Sequence, residues 1–211
     1  MNCRFRFSLI AAGMVLAASV QASEAKYSLS DVPHLASEKQ HATASTRVAS
    51  RYMRSHYKHF TLDDQFSGQV FNRYIEMLDY NKSFLNATDV KQFGKWKSQL
   101  DDQLKSGNTS AAFDIFNKVL QRRFERYQFA LTQLNTEIKF DGKDDFVIDR
   151  SELEWPKDNT ELNEIWRQRV KYDALNLKLA GKKWPEIQKT LTKRYNNAIK
   201  RLTQTHSEDV D

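Results

Sequence analysis

Residues 111–134, AAFDIFNKVLQRRFERYQFALTQL, decide the fold. Their apolar side chains recur in steps of three and four, which places them on one face of a long helix: Phe113, Phe116, Leu120, Phe124, Tyr127, Leu131 and Leu134. A helix that is apolar along one broad face needs other helices to cover that face. We therefore predict that this helix is the scaffold of a multi-helix domain.

The rest of the 211-residue chain has the composition of one folded, strongly helical domain. Only 6 Gly and 3 Pro interrupt it, and hydrophobic residues at 40% with charged residues at 28% exclude a disordered or membrane-embedded chain. The 13 Phe, 8 Tyr and 4 Trp predict an aromatic core.

Residues 1–22 have the pattern of a secretory signal peptide. Arg4 and Arg6 form a basic start, residues 7–20 are apolar, and residues 20–22 end in a small-x-small cleavage pattern. A retained membrane anchor is the weaker alternative, because the apolar run is short and the sequence after it is polar.

Removal of the signal peptide would leave a chain without cysteine and with little net charge. Cys3 leaves with the signal, which excludes disulfides, thiolate metal sites and a cysteine nucleophile. The loss of Arg4 and Arg6 lowers the formal net charge from +6 to +4, and basic residues alternate with acids. We expect no nucleic-acid partner and no membrane span after signal removal.

Apolar stripes and capping residues predict about six helices in residues 43–211, after an extended lead-in at residues 23–42. The third helix is expected to run as one element to Ser106 and Gly107. The predicted helix starts are Thr43 or Ser45, a cap at residues 62–64, Asn86 or Thr88, Asn108 or Thr109, Asp158 or Asn159, and Trp184 with Pro185 in the first turn.

Two segments depart from this helical pattern. Residues 138–156 form one short extended segment or a hairpin around the Asp-Gly pair at 141–142. The last helix lacks a stop signal after Gln204, so we expect Ile199 and Leu202 to be partly uncovered, with reduced stability or self-association as the result. The predicted fold class is all-α, an irregular multi-helix domain.

No arrangement of residues indicates a catalytic or metal site. His56 and His59 have helical spacing, but the H-E-x-x-H pattern is absent, so we favour ordinary helix histidines. Glu152 and Glu154 are not expected to converge as a glycosidase pair does. A calcium-loop spacing is incomplete in the acidic turn, which we interpret as solvated: Asp141, Asp144, Asp145 and Asp149. We assign no catalytic residue, no cofactor-binding residue, no cofactor and no metal ligand.

Several stretches, in order, resemble the N-terminal region of the tail-specific protease (carboxy-terminal processing peptidase) family. They cover nearly the whole chain after the signal peptide: QHATASTRVASRYMRSHYKHF at 40–60, FNRYIEMLDYNKSFL at 71–85, RRFERYQFAL at 122–131, DRSELEWP at 149–156 and TLTKRYNNAIKRLTQTHSEDV at 190–210.

This resemblance implies a helical domain that precedes a PDZ module and a serine protease domain with a Ser-Lys dyad, in an enzyme of the Gram-negative periplasm. The sequence ends at Asp211, before those domains, so no catalytic position is carried over and we expect no activity from the chain by itself.

The implied function is a non-catalytic platform that docks adaptor lipoprotein and substrate proteins for degradation from nonpolar C-termini. A catalytic half on another chain is a further option for activity. The alternative from another class is an independent periplasmic chaperone-like binding module with an exposed apolar patch.

Overall fold

The computed structural model describes residues 26–55 and 61–210. Within these ranges the chain is all-α, as predicted, without a β-strand. The predicted signal peptide at residues 1–22 lies outside the described residues. The helices are α1 (Lys39–Ser55), α2 (Asp64–Leu78), α3 (Ala87–Phe93), α4 (Leu100–Ser106), α5 (Ser110–Gln133), α6 (Asn159–Leu179) and α7 (Trp184–Leu202), with short 3-10 helices at Leu29–Asp31, Gly94–Trp96 and Ser207–Val210.

Helix α5 is the centre of the domain, as its sequence predicts. It packs along α6 and α7, which also pack on each other, while α4 holds α1 and α2. The predicted apolar face is buried, apart from the half-buried Tyr127. Burial of this face stabilises the domain by about 25 cal/mol for each Å² of apolar surface removed from water.

An aromatic cluster joins α5 to α6 and to the loop after α2. The Trp166 ring is fully buried, and its centroid lies 5.6 Å from that of Tyr127 and 5.5 Å from that of Phe84. The Trp166 indole Nε1 donates a 2.6 Å hydrogen bond to the carbonyl oxygen of Ser83. A buried indole N–H needs such a partner, so this bond fixes the loop against α6.

The capping residues predicted for α2 and α6 are confirmed. The Asp63 carboxylate accepts from the amide of Phe66, and that of Asp158 accepts from the amides of Thr160 and Glu161. These bonds satisfy amide groups that have no partner inside the helix.

The third predicted helix is wrong as one element, because it divides into α3, a 3-10 turn and α4. The break occurs where the buried Ser67 hydroxyl of α2 accepts a 2.8 Å hydrogen bond from the amide of Leu100. The Ser67 hydroxyl gives the Leu100 amide a partner outside its own helix, and α4 begins at Leu100. Gly107 ends α4 in the left-handed conformation, as predicted.

The extended segment at residues 138–156 is present, but the hairpin alternative is wrong because no strand pair forms there. The side-chain amide of Asn81 supplies hydrogen bonds that a neighbouring strand would otherwise give. Its Nδ2 donates to the carbonyl of Ile148 at 3.0 Å, and its Oδ1 accepts from the amide of Arg150 at 2.7 Å.

The two ends of the helical domain also differ from the prediction. Helix α1 begins at Lys39, ahead of the predicted Thr43 or Ser45, because the buried His41 packs on Phe113 and its Nδ1 accepts from the amide of Glu38 at 2.8 Å. Packing by an aromatic ring thus replaces a conventional cap.

The expected exposure of Ile199 and Leu202 is wrong. Ile199 is fully buried and Leu202 is 7% exposed. The chain turns after α7, and the 3-10 helix Ser207–Val210 contacts α5 with Val210 buried. The return of the chain onto α5 therefore supplies the stop that the sequence lacks.

Candidate protein-docking surface

The acidic turn considered as a metal loop is an anchor for the extended segment. Asp144 accepts hydrogen bonds from Arg167 at 2.8 Å and from Lys171 at 2.6 Å, both on α6. These two cations hold the pKa of the Asp144 carboxyl well below its usual range. The Asp149 carboxylate accepts from the amide of Ser151, which lowers its pKa.

The other candidates from the sequence are two histidines and two glutamates. His56 and His59 lie outside the described residues. Glu152 and Glu154 are exposed and make no ion pair with any described residue. Across residues 26–55 and 61–210, no three His, Cys, Asp or Glu side chains are grouped to hold a metal.

The arginines of α5 are structural. Arg122 binds the buried Asp89 of α3 in a two-pronged pair, with Nε to Oδ2 at 2.8 Å and Nη2 to Oδ1 at 2.7 Å. Asp89 is 1% exposed, so the guanidinium provides the charge that makes this burial tolerable. The bonds from Arg122 to Asp89 and Glu125 raise the pKa of the arginine. This pair fixes α3 to α5.

A second polar contact ties α5 to the end of α2. Arg123 Nη2 donates a 2.5 Å hydrogen bond to the carbonyl of Leu78. The neighbouring Asp79 is buried and accepts from the amides of Ser83, Phe84 and Leu85. Burial raises the pKa of the Asp79 carboxyl against the opposing effect of those amides. Asp79 closes a loop inside the domain and faces no cleft.

Helix α1 carries a group of exposed basic and apolar side chains. The first part of this helix is held by α4 and by the turn after it. The hydroxyl of Ser45 donates to the carbonyl of Leu104 at 3.3 Å, and Ala49 is buried. These contacts hold one side of the helix up to Ala49.

Beyond Ser50 the side chains of the helix are exposed. Every residue from 51 to 55 is exposed, and five successive helical residues point in all directions around the axis. Apolar side chains share this exposure, with Val48 at 65%, Tyr52 at 42% and Met53 at 43%. Exposed apolar residues grouped on one element indicate an interaction site, whereas single ones do not.

The same helix is basic throughout. It carries Lys39, Arg47, Arg51 and Arg54 and has no Asp or Glu. None of these cations forms an ion pair with a described residue, and Arg54 Nε only donates to the carbonyl of Ser50 one turn earlier. We call Arg47, Val48, Arg51, Tyr52, Met53 and Arg54 the α1 surface.

Three shallow, open depressions adjoin the α1 surface. One of about 520 Å³ follows the arginines along α1, one of about 280 Å³ lies between Val48 and Tyr52, and one of about 400 Å³ lies between Tyr52 and the start of α2. Their openness suits the side chains of a macromolecule better than an enclosed small molecule.

Comparison with known proteins places this arrangement in a family. The family model described as "Tail specific protease N-terminal domain" matches residues 48–211, from Val48 of the α1 surface to the end of the sequence. The chain belongs to this family. The tail-specific protease N-terminal domain thus includes every helix from α2 to α7 and the exposed part of α1.

A curated relative supports the same assignment. The chain is 44% identical over 180 residues to the tail-specific protease of Haemophilus influenzae, which covers 85% of this chain. The match spans 26% of that protein, so the chain corresponds to about a quarter of the relative's length. A model for the B melanoma antigen family matches residues 1–36 only, which is too little of the chain to carry an argument.

Sequence reasoning found the basic character of α1 but missed its exposure. Arg51 and Arg54 are recognisable as a basic edge, and the absence of acids from α1 is visible in the sequence. Tyr52 and Met53 continue a helical apolar pattern, which predicts burial. The structure shows that the contacts of α1 with Leu104 and Gly107 lie at Ala42, Ser45 and Thr46, N-terminal to Tyr52 and Met53, and that these two side chains are exposed. No α-helix in the described part of the chain is long and apolar enough to cross a membrane.

Proposed function

We propose that this chain is the non-catalytic helical platform of a periplasmic tail-specific protease, and that its α1 surface docks protein partners. The partners are substrate proteins degraded from nonpolar C-termini and an adaptor lipoprotein that delivers them. The family membership supports the protease setting, and the predicted signal peptide supports the compartment.

The observation that carries the proposal is the exposed end of α1. Helix ends of this kind are marginal in water unless another surface covers them. Exposed Val48 and Met53, beside arginines that form no ion pair with a described residue, supply an apolar anchor and a charged rim, the usual parts of a protein interface. In α5, the other arginine-rich helix, Arg122 and Arg123 bind groups inside the domain.

The test replaces the matching region of the H. influenzae tail-specific protease with this chain and then introduces Arg47→Ala, Arg51→Ala and Arg54→Ala together. We expect the KM for a protein substrate with a nonpolar C-terminus to rise about tenfold, which corresponds to about 1.4 kcal/mol. Cleavage of a short chromogenic peptide, which needs no docking surface, should be unchanged. This split separates docking from catalysis.

A matched control removes three exposed cations from α7: Lys189→Ala, Lys193→Ala and Lys200→Ala. This variant has the same change in net charge, and its KM should equal that of the unchanged chimera. Equal effects of the α1 and α7 variants, or equal effects on protein and peptide, would contradict the proposal. Hydrolysis of the peptide by the purified chain alone would contradict its non-catalytic role.

The exposed apolar residues of α1 also favour a second candidate, an independent chaperone-like binder. That function predicts that the chain alone slows the aggregation of a denatured protein, and that Val48→Ser with Met53→Ser abolishes the effect. A platform that acts only in the protease context gives no protection in this assay.

A further inference from the structure

The α1 surface has a complementary surface on the same molecule. Exposed large apolar residues of the described chain concentrate in two places besides isolated positions. One group is on α1, and the other consists of Val147, Ile148 and Leu153 in the extended segment, which are 46%, 63% and 41% exposed. The second group lies in residues 141–154, which we call the acidic segment.

The charges of the two surfaces are opposite. The acidic segment, DGKDDFVIDRSELE, contains six carboxylates and two basic residues, whereas α1 contains four cations and no carboxylate. Asp144 is occupied by Arg167 and Lys171. The carboxylates left for an outside partner include Asp145, Glu152 and Glu154, which are exposed and form no ion pair with described residues.

The acidic segment is held in an extended shape before any partner arrives. Asn81 binds the carbonyl of Ile148 and the amide of Arg150, and Lys82 Nζ donates to the carbonyl of Leu153 at 2.5 Å. Phe146 packs on Tyr172 of α6 with a centroid distance of 5.0 Å. A preformed segment loses little conformational entropy on binding, which favours association.

Different elements support the two surfaces. Helix α1 rests on α4, whereas the acidic segment rests on α6 and the loop after α2. No ion pair joins them among the residues that the structure describes. We expect the two surfaces to pair between two molecules, and such a contact is head-to-tail because unlike surfaces meet.

We propose that the α1 surface of one molecule binds the acidic segment of a second copy of this chain. The arginines of α1 face the free carboxylates, while Val48 and Met53 contact the exposed aliphatic residues of the segment. This goes beyond the proposed function, because the occupant is a second copy of this chain and not a substrate protein or an adaptor of the protease. A contact between two small exposed surfaces is weak and sensitive to salt.

The test measures self-association of the purified chain by sedimentation equilibrium over a range of protein and salt concentrations. We expect the wild type to associate reversibly, and the association to weaken as salt is added. Arg51→Glu with Arg54→Glu, and separately Asp145→Lys with Glu152→Lys, should each weaken association at least tenfold. All four positions are exposed, so the variants should keep the wild-type thermal unfolding midpoint.

Mixing the two variants distinguishes head-to-tail pairing from a general charge effect. The Asp145→Lys, Glu152→Lys variant keeps an intact α1 surface, and the Arg51→Glu, Arg54→Glu variant keeps an intact acidic segment. Each variant alone should stay monomeric, and an equimolar mixture should associate again. The control Lys193→Glu with Lys200→Glu reverses two exposed charges on α7 and should associate like the wild type.

The inference is overturned if the wild type stays monomeric up to millimolar concentration, if neither charge reversal weakens association, or if the mixture stays monomeric. These outcomes leave the proposed function intact when the protease chimera still shows its KM effect. Loss of the KM effect with normal self-association overturns the docking of protease partners instead.

Discussion

Two helices of this domain carry closely spaced arginines and use them differently. In α5 the guanidinium groups of Arg122, Arg123 and Arg126 reach a carboxylate, a carbonyl and an amide on three other elements. In α1 no acidic residue of the described chain pairs with the cations. The spacing of charges within a helix therefore does not tell whether they hold a fold together. The groups on the facing element decide it.

The largest expected effect comes from breaking the α5 pair. Asp89 is 1% exposed, and Arg122→Ala removes the cation that pairs with it. The free energy of unfolding should therefore fall by about 3–5 kcal/mol. Arg51→Ala, on the exposed side of the comparison, should change it by less than about 0.5 kcal/mol. Urea unfolding followed by circular dichroism measures both. Equal losses in the two variants would erase the distinction between the helices.

The next largest effect concerns the attachment of α1 to the domain. Gly107 has φ +75°, and a Cβ there would lie 2.9 Å from the carbonyl oxygen of Ala42 in α1. Gly107→Ala should lower the free energy of unfolding by about 2–3 kcal/mol, because backbone strain and displacement of α1 combine.

Gly181 is the matched control for this substitution. It has φ +84° with nothing within 4 Å of an added Cβ, so Gly181→Ala should lower the free energy of unfolding by only about 1 kcal/mol. A cost at Gly107 no greater than that at Gly181 would mean that contact with α1 adds nothing to the strain.

A smaller change sharpens the comparison within α5 itself. Arg126 is buried, donates a hydrogen bond to the Asn163 amide oxygen and lies over the Phe129 ring, and its Nε has no hydrogen-bond partner among the described residues. Burial lowers the pKa of this arginine. Arg126→Met removes the charge but keeps the volume, so it should change the free energy of unfolding by less than about 1 kcal/mol. A loss of unfolding free energy as large as that of Arg122→Ala would show that a paired carboxylate does not explain the difference between Arg122 and Arg126.

The last effect depends on pH and concerns Arg167, a half-buried arginine that does have a partner. The folded-state pKa of Asp144 lies below its unfolded value, so its contribution to stability is present above that value and is lost as the pH falls. Asp144→Asn should therefore be less stable than the wild type at pH 7. The difference between the two thermal midpoints should begin to shrink as the pH falls below about 4 and should still be present, though smaller, at about pH 3, because the folded-state pKa of Asp144 lies well below its usual range. A constant difference across this range would contradict the assignment.

The sequence predicts those parts of the fold that local chemistry controls. The stripe from Phe113 to Leu134 predicts α5, and Asp63, Gly107 and Asp158 mark helix ends correctly. These signals are local, since a helix period or a cap involves residues within one or two turns.

The parts that the sequence does not predict depend on distant partners. Ser67 binds the amide at the start of α4, Asn81 replaces a hairpin partner, and α7 packs on α5 with Leu202 buried. The candidate site fails to be predicted for the same reason. Tyr52 and Met53 have the spacing of core residues but are exposed, because the packing of α1 on α4 and Gly107 lies at Ala42, Ser45 and Thr46.

The central claim is that the α1 arginines act in binding and not in folding. The most direct measurement takes the chain with Arg47→Ala, Arg51→Ala and Arg54→Ala and determines its free energy of unfolding and its self-association on one preparation. We expect the free energy of unfolding to stay within about 1 kcal/mol of the wild type and the association to be lost. A chain that unfolds readily, or one that associates as before, would contradict the account.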